Sequence, residues 1–124
     1  MTKAKRDGEK LSELLLELKN DYRKNFPKRV QSLRELTQLQ DWESLTREFH
    51  KLKGTGRTYG YPEVSILCEV LEQACREGRV DAVQMQKVFS VFARMMESWE
   101  DGQFFHPHQD PEAQEIMALK GDPS

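Results

Sequence analysis

Apolar residues recur along this chain at three- and four-residue steps, the spacing that one face of an α-helix requires. Leu11, Leu14, Leu15, Leu18 and Tyr22 form the first stripe. Pro27 interrupts it. A proline inside a helix removes a hydrogen bond but suits the first turn of a new helix. The spacing therefore predicts a break there, then a second helix on Val30, Leu33, Leu36 and Leu39. Asp41 is placed to N-cap a third helix carrying Trp42, Leu45, Phe49 and Leu52. Gly60 stops that helix, and Pro62 opens a fourth at its first position. Val64, Leu67, Leu71 and Ala74 line the fourth helix as far as Gly78. Asp81 caps a fifth, on which Met85, Val88, Phe92, Met95 and Trp99 make a stripe widened by Phe89 and Met96. No segment alternates as a strand does. Short loops between amphipathic helices make neighbours antiparallel, so the expected fold class is all-α, an up-down bundle.

The pattern assigns residues 9–100 to the bundle. Residues 1–8 are expected to be a flexible N-terminus. Residues 101–124, rich in Pro, Asp and Gln, are expected to be a flexible acidic tail with a weak apolar cluster at Ile116, Met117 and Leu119 and a short helical turn near its end.

Composition narrows the class. A chain of 124 residues can bury one core. Charged residues make up 32 %, above the usual value of about 25 %, which implies much solvated surface. No run approaches the ~18 apolar residues of a membrane span, and the triple leucine Leu14–Leu16 is too short for a secretory signal. Two cysteines make no disulfide framework. A cytoplasmic protein without a membrane partner is expected. The net charge of −2 hides an asymmetry of +5 over residues 1–60 and −7 over residues 61–124. Such a layout favours an oriented encounter with a charged partner. It does not suggest nucleic acid, because the basic residues are scattered and no groove-reading motif is present.

One segment departs from bundle logic. Phe49–Gly60 places Gly54 and Gly56 inside a helix, where each costs about 1 kcal/mol relative to alanine. At about 100° per residue, Leu45, Phe49, Leu52, Gly56 and Tyr59 share the core arc, whereas His50 projects off it beside Lys53, Gly54 and Arg57. A neutral imidazole is a nucleophile, and neighbouring cations favour its neutral form. The same cations would stabilise a phosphoryl group on the ring. Gly54 leaves room for a second protein to reach His50, and Gly56 suits close helix packing. The sequence shows no acid, metal cluster or second nucleophile built around His50, so a partner must supply the catalytic machinery.

Elsewhere the chemistry is thin. Cys68 and Cys75 lie seven apart on one helix, too far to bridge, and read as small core residues. His106 and His108, with Asp110 nearby, read as polar tail residues rather than metal ligands, and no metal is expected.

The run His50-x-Leu52-Lys53-Gly54-Thr55-Gly56-x-x-Tyr59-Gly60, followed by Val64, Cys68, Leu71 and Glu72, closely resembles the histidine-containing phosphotransfer (HPt) domain. The resemblance covers residues 9–100 in helix order and is most specific over 49–72. Tyr59 stands where the family usually has an aliphatic residue, and Gly56 where it usually has alanine or serine. The resemblance implies an antiparallel up-down four-helix bundle with an additional N-terminal helix. It makes His50 the phosphoacceptor, with Lys53 positioning the phosphoryl group and Gly54 giving partner access. Arg57 matches no family position and enters only as electrostatic support. The implied function is reversible phosphoryl transfer between His50 and the aspartate of a response-regulator receiver domain, with a hybrid sensor histidine kinase as a further partner. No ATP-binding motif is present, so the chain is expected to be a phosphocarrier and not an enzyme with kinase activity. It needs no cofactor of its own, the receiver supplying Mg²⁺, and it is read as a monomer. The alternative is a non-catalytic helical adaptor that docks receivers without transferring phosphate. Leu14, Leu15, Tyr22 and Phe26 are the candidate docking residues.

Overall fold

The computed structural model describes residues 3–121, and the side chains from Asp7 onward. Four helices carry the fold: α1 (Lys3–Gln38), α2 (Trp42–Thr58), α3 (Pro62–Arg76) and α4 (Ala82–Glu100). A 3₁₀ turn at Pro107–Gln109 and a short α5 (Pro111–Met117) follow. No strand occurs among the described residues.

The all-α bundle holds, but its N-terminal part differs from the expectation. The two helices expected on either side of Pro27 are one continuous α1. The additional N-terminal helix is thus an extension of the first bundle helix. Tyr22, Phe26, Val30 and Leu33 keep one helical register across the proline and are all buried. Phe26 packs edge-on against Phe92 and Trp99, with ring centroids 5.6 and 5.0 Å apart. Pro27 is exposed, so the Arg23 carbonyl it leaves without a helical partner lies on the solvent side. Burial on one face therefore outweighs the lost bond on the other. The expected 1–8 boundary does not appear in residues 3–8, which are helical; residues 1–2 lie outside the described residues.

The first leucine stripe does not enter the core. Leu11, Leu14, Leu15, Leu16 and Leu18 are exposed on the N-terminal half of α1, and Leu39 at its other end is exposed too. The remaining stripes are buried as expected, from Leu45, Phe49 and Leu52 on α2 to Met85, Val88, Phe92, Met95 and Trp99 on α4.

Helix ends follow their signals. The Asp41 carboxylate accepts from the Ser44 N–H at 3.0 Å, and Asp81 forms a capping box with Gln84. Gly60 takes a positive φ of 89°, which closes α2 through Tyr61 N–H bonding the Gly56 carbonyl. At the end of α1 the equivalent left-handed position is Gln40, with φ 56°, a stop that carries no glycine signal.

The expected flexible tail is a folded strap. Phe105, Ala113 and Ile116 are buried against the bundle. Asp110 caps α5 and takes a two-pronged bond from Arg94 of α4 at 2.7 and 2.9 Å. Arg94 also pairs with Glu112 at 3.0 Å, and Lys87 with Glu115 at 2.8 Å. An apolar pair three residues apart, plus carboxylates that find cations on α4, holds a segment too short to show helical periodicity. The strap's first buried residue is tied to α3, because the Glu63 carboxylate accepts from the Trp99 indole N–H and the Phe105 N–H.

Candidate functional site

The site lies on α2 where it packs along α3. Phe49 and Leu52 are buried on either side of His50, which turns the imidazole outward; its side chain is 65 % exposed. The off-core placement read from the wheel is the placement found. Gly54 sits one turn further along. A Cβ built there meets no atom within 4 Å, so packing gives no reason for the glycine. Gly56 is the opposite case: a Cβ would lie 2.7 Å from Ser65 Oγ and 2.9 Å from the Ser65 nitrogen and the Tyr61 carbonyl. Even alanine is too large there, which accounts for the departure from the family pattern. The close approach lets Ser65 Oγ donate to the Lys53 carbonyl at 2.7 Å and accept from the Arg57 N–H at 2.8 Å. One hydroxyl from α3 thus bridges a rung of the α2 ladder just beyond the histidine.

Tyr59 has a local reason as well. Its ring stacks on Tyr22 of α1 at 5.4 Å, and Tyr22 stacks in turn on Tyr61 at 5.6 Å. The Tyr22 hydroxyl lies 3.1 Å from Thr55 Oγ1, and burial pushes that phenol up to about 12. This aromatic stack fixes α1 against the end of α2 that follows the His50 turn.

The expectation that no acid stands by His50 is overturned. Glu72 of α3 brings Oε1 to 2.8 Å from His50 Nδ1. Lys53 Nζ pairs with the other oxygen, Oε2, at 2.8 Å, and Arg76 Nη2 bonds Oε1 at 2.8 Å. The Glu72 side chain is only 5 % exposed. Burial alone would raise its pKa. The bonds from Lys53, His50 and Arg76 outweigh burial and hold the carboxyl below its ordinary 4.5. An ionised carboxylate only accepts, so His50 Nδ1 must be the donor, and in the neutral ring Nε2 carries the free lone pair. Glu72 closes the family-like run in the sequence. The missed signal was a carboxylate four residues after Cys68 and next to Leu71, both fully buried, at the edge of the apolar face.

Lys53 is therefore in the cluster, but bound to Glu72 rather than held free. Arg57 is not brought in: its side chain is exposed and makes no ion pair among the described residues. Cys68 and Cys75 are free and buried, and burial pushes the Cys75 thiol up to about 11. No group of three or more potential metal ligands occurs among the described residues, and the His106 ring lies edge-on to Phe104.

No curated protein and no solved structure matches the chain. A family model does match, over residues 17–101, and its description is Hpt domain. That span holds α2 and α3 with the whole His50–Glu72 cluster, and it takes in α4 and the part of α1 that packs on them. With most of its length matched, the chain belongs to the Hpt domain family, whose members serve histidine phosphotransfer in phosphorelays and interact with receiver domains.

Proposed function

We propose that this protein is a phosphorelay carrier in which His50 accepts a phosphoryl group from the aspartate of a receiver domain and passes it to another. The observation that carries this reading is an exposed imidazole whose inner nitrogen is bonded to a buried carboxylate. The Nε2 lone pair attacks the phosphorus. The bond from phosphorus to the receiver aspartate oxygen breaks, and its electron pair leaves with the carboxylate. Nδ1 keeps its proton, so the ring gains positive charge as the new N–P bond forms. Glu72 faces that charge through the Nδ1–H bond and stabilises it. In the reverse direction the electron pair returns to Nε2 and the ring charge is lost.

Lys53 is the residue proposed to position the phosphoryl group, swinging from Glu72 Oε2 while His50 and Arg76 keep Oε1 occupied. The open space at Gly54 admits the receiver's active site. Mg²⁺ and the acidic pocket are the receiver's contribution, since the transferred group needs charge stabilisation more than covalent chemistry. On this reading the protein is a phosphocarrier rather than an enzyme, and works in the cytoplasm. No helix among the described residues is long and apolar enough to cross a membrane. Of the docking residues named above, Tyr22 and Phe26 are buried and drop out. Leu14 and Leu15 remain exposed, joined by Leu18, one turn before the Tyr22–Tyr59 stack. They supply the apolar surface such an encounter needs.

The test is to incubate the protein with a phosphorylated receiver and look for acid-labile, base-stable label. Label is expected on the wild type and absent from His50→Gln. Label that persists in His50→Gln would overturn the site. Receiver binding with no label on the wild type would leave the adaptor reading in its place.

A further inference from the structure

Glu72 Oε1 accepts two bonds of 2.8 Å, one from His50 Nδ1 and one from Arg76 Nη2. Arg76 lies one turn after Glu72 on α3, and its side chain is 62 % exposed while that of Glu72 is 5 % exposed. Neither the composition nor the motif marks Arg76. We propose that Arg76 is a positioning residue for His50: it holds the Glu72 oxygen against Nδ1–H, and so keeps Nε2 as the bare, outward nitrogen. This deepens the phosphocarrier reading and takes its functional meaning from it.

Two cations pull on a single carboxylate. Glu72 reaches the α2–α3 seam through a side chain with three rotatable bonds. Lys53 draws Oε2 toward the side of His50 on which the chain runs to Gly54. Arg76 draws Oε1 from the other side, where it lines an open depression of about 370 Å³ with Thr46, Arg47, His50, Lys51 and Glu72. Held from both sides, the carboxylate presents Oε1 to the imidazole in one place. Without Arg76, Lys53 is the only full-time cation on it, and the carboxylate is free to turn toward Nζ and away from Nδ1. The tautomer of a histidine is set by the bond its inner nitrogen makes, so loosening that bond mixes the tautomers and lowers the share with a free Nε2 lone pair. The other charged groups of the depression do not duplicate this role. Arg47 pairs with Glu43 at 3.1 Å and Lys51 with Glu48 at 3.2 Å, both on α2.

The test uses the full chain as Arg76→Gln, Arg76→Lys and, for comparison, Arg47→Gln, an equally exposed cation of the same depression. Ring ¹⁵N shifts of His50 are read at about pH 8.5, where imidazoles are neutral. The wild type is expected to show one protonated and one bare ring nitrogen. In Arg76→Gln both shifts are expected to converge toward those of a tautomer mixture, Arg76→Lys to restore much of the separation, and Arg47→Gln to leave it unchanged. The initial rate of phosphoryl acceptance by Arg76→Gln is expected to fall roughly three- to tenfold. Circular dichroism at the same temperature shows whether the variants stay folded. Ring shifts in Arg76→Gln equal to the wild type would overturn the proposal, as would an equal change in Arg47→Gln. A wild type that accepts no phosphoryl group would overturn the carrier reading instead, and the ring shifts would still decide the role of Arg76.

Discussion

Gly54 and Gly56 are two residues apart on one helix and do opposite things. A methyl group at Gly54 enters open space, while one at Gly56 strikes the Ser65 nitrogen and the Tyr61 carbonyl. Gly54→Ala should therefore stabilise the fold by about 0.5–1 kcal/mol, the propensity gained when an exposed helix interior loses its glycine. On the proposed access role it should also slow transfer from a receiver, because the methyl would stand where the partner approaches. Gly56→Ala should destabilise by about 1–3 kcal/mol through overpacking against backbone. Urea unfolding measures both, and a Gly54→Ala protein that is more stable and equally fast in transfer would refute the access role. His50, Lys53 and Gly54 could be picked out from the sequence because their proposed roles depend on spacing within one helix. Glu72 was quoted in the motif but given no role, because its meaning lies in a contact between helices and only packing shows which side chains meet across a seam. Arg57 shows the limit of the helix wheel: proximity to His50 on the wheel is not contact, and its side chain is exposed.

Among the elements, α2, α3 and α4 were legible nearly to their ends, because α2 and α4 open on an aspartate cap, α3 opens on Pro62, and each carries an uninterrupted stripe. α1 was not. Proline chemistry argued for a break, and nothing local shows that Phe26, Val30 and Leu33 together secure the far side. Its leucine stripe was equally misleading, since helical periodicity marks an apolar face without showing what that face meets. The strap was hidden because ion pairs hold its short helix to α4. Arg94 is the centre of these: it pairs with both Asp110 and Glu112, and its bond to Asp110 holds that carboxyl below its ordinary 3.8. Arg94→Ala should cost about 1 kcal/mol, a modest amount because the pair is partly solvated. Limited proteolysis should then cut between residues 105 and 117 in the variant while the wild type resists there. Equal resistance would mean that Phe105, Ala113 and Ile116 hold the strap unaided.

For the whole molecule, the net charge of −2 said little, and its split into basic and acidic halves said more. The structure spends part of the acidic half on structure and site: Glu63 on the Trp99 indole, Glu72 on the histidine cluster, Asp110 and Glu112 on Arg94. Two of these acids contribute to the pH response, as do Asp41 and Glu77, which are also held below their ordinary values. Glu72 and Asp110 both have folded-state values below the ordinary 4.5 and 3.8. A carboxyl depressed on folding adds stability that is present above its unfolded value and lost as pH falls through the folded one. The melting temperature should therefore hold from pH 7 down to about 5 and decline below the ordinary carboxyl values, with a shallower decline in Glu72→Gln. A wild-type melting temperature that is flat to pH 3 would contradict this.

A close α2–α3 seam holds a buried carboxylate on the inner nitrogen of an exposed histidine. The most direct test of the role of this pair is to phosphorylate the full chain from a receiver and locate the phosphoryl group by ³¹P–¹⁵N coupling in ¹⁵N-histidine protein. A single phosphohistidine at His50 is expected, coupled through Nε2, with Nδ1 still protonated and bonded to Glu72. A phosphoryl group on Nδ1, on another residue, or on none would contradict it.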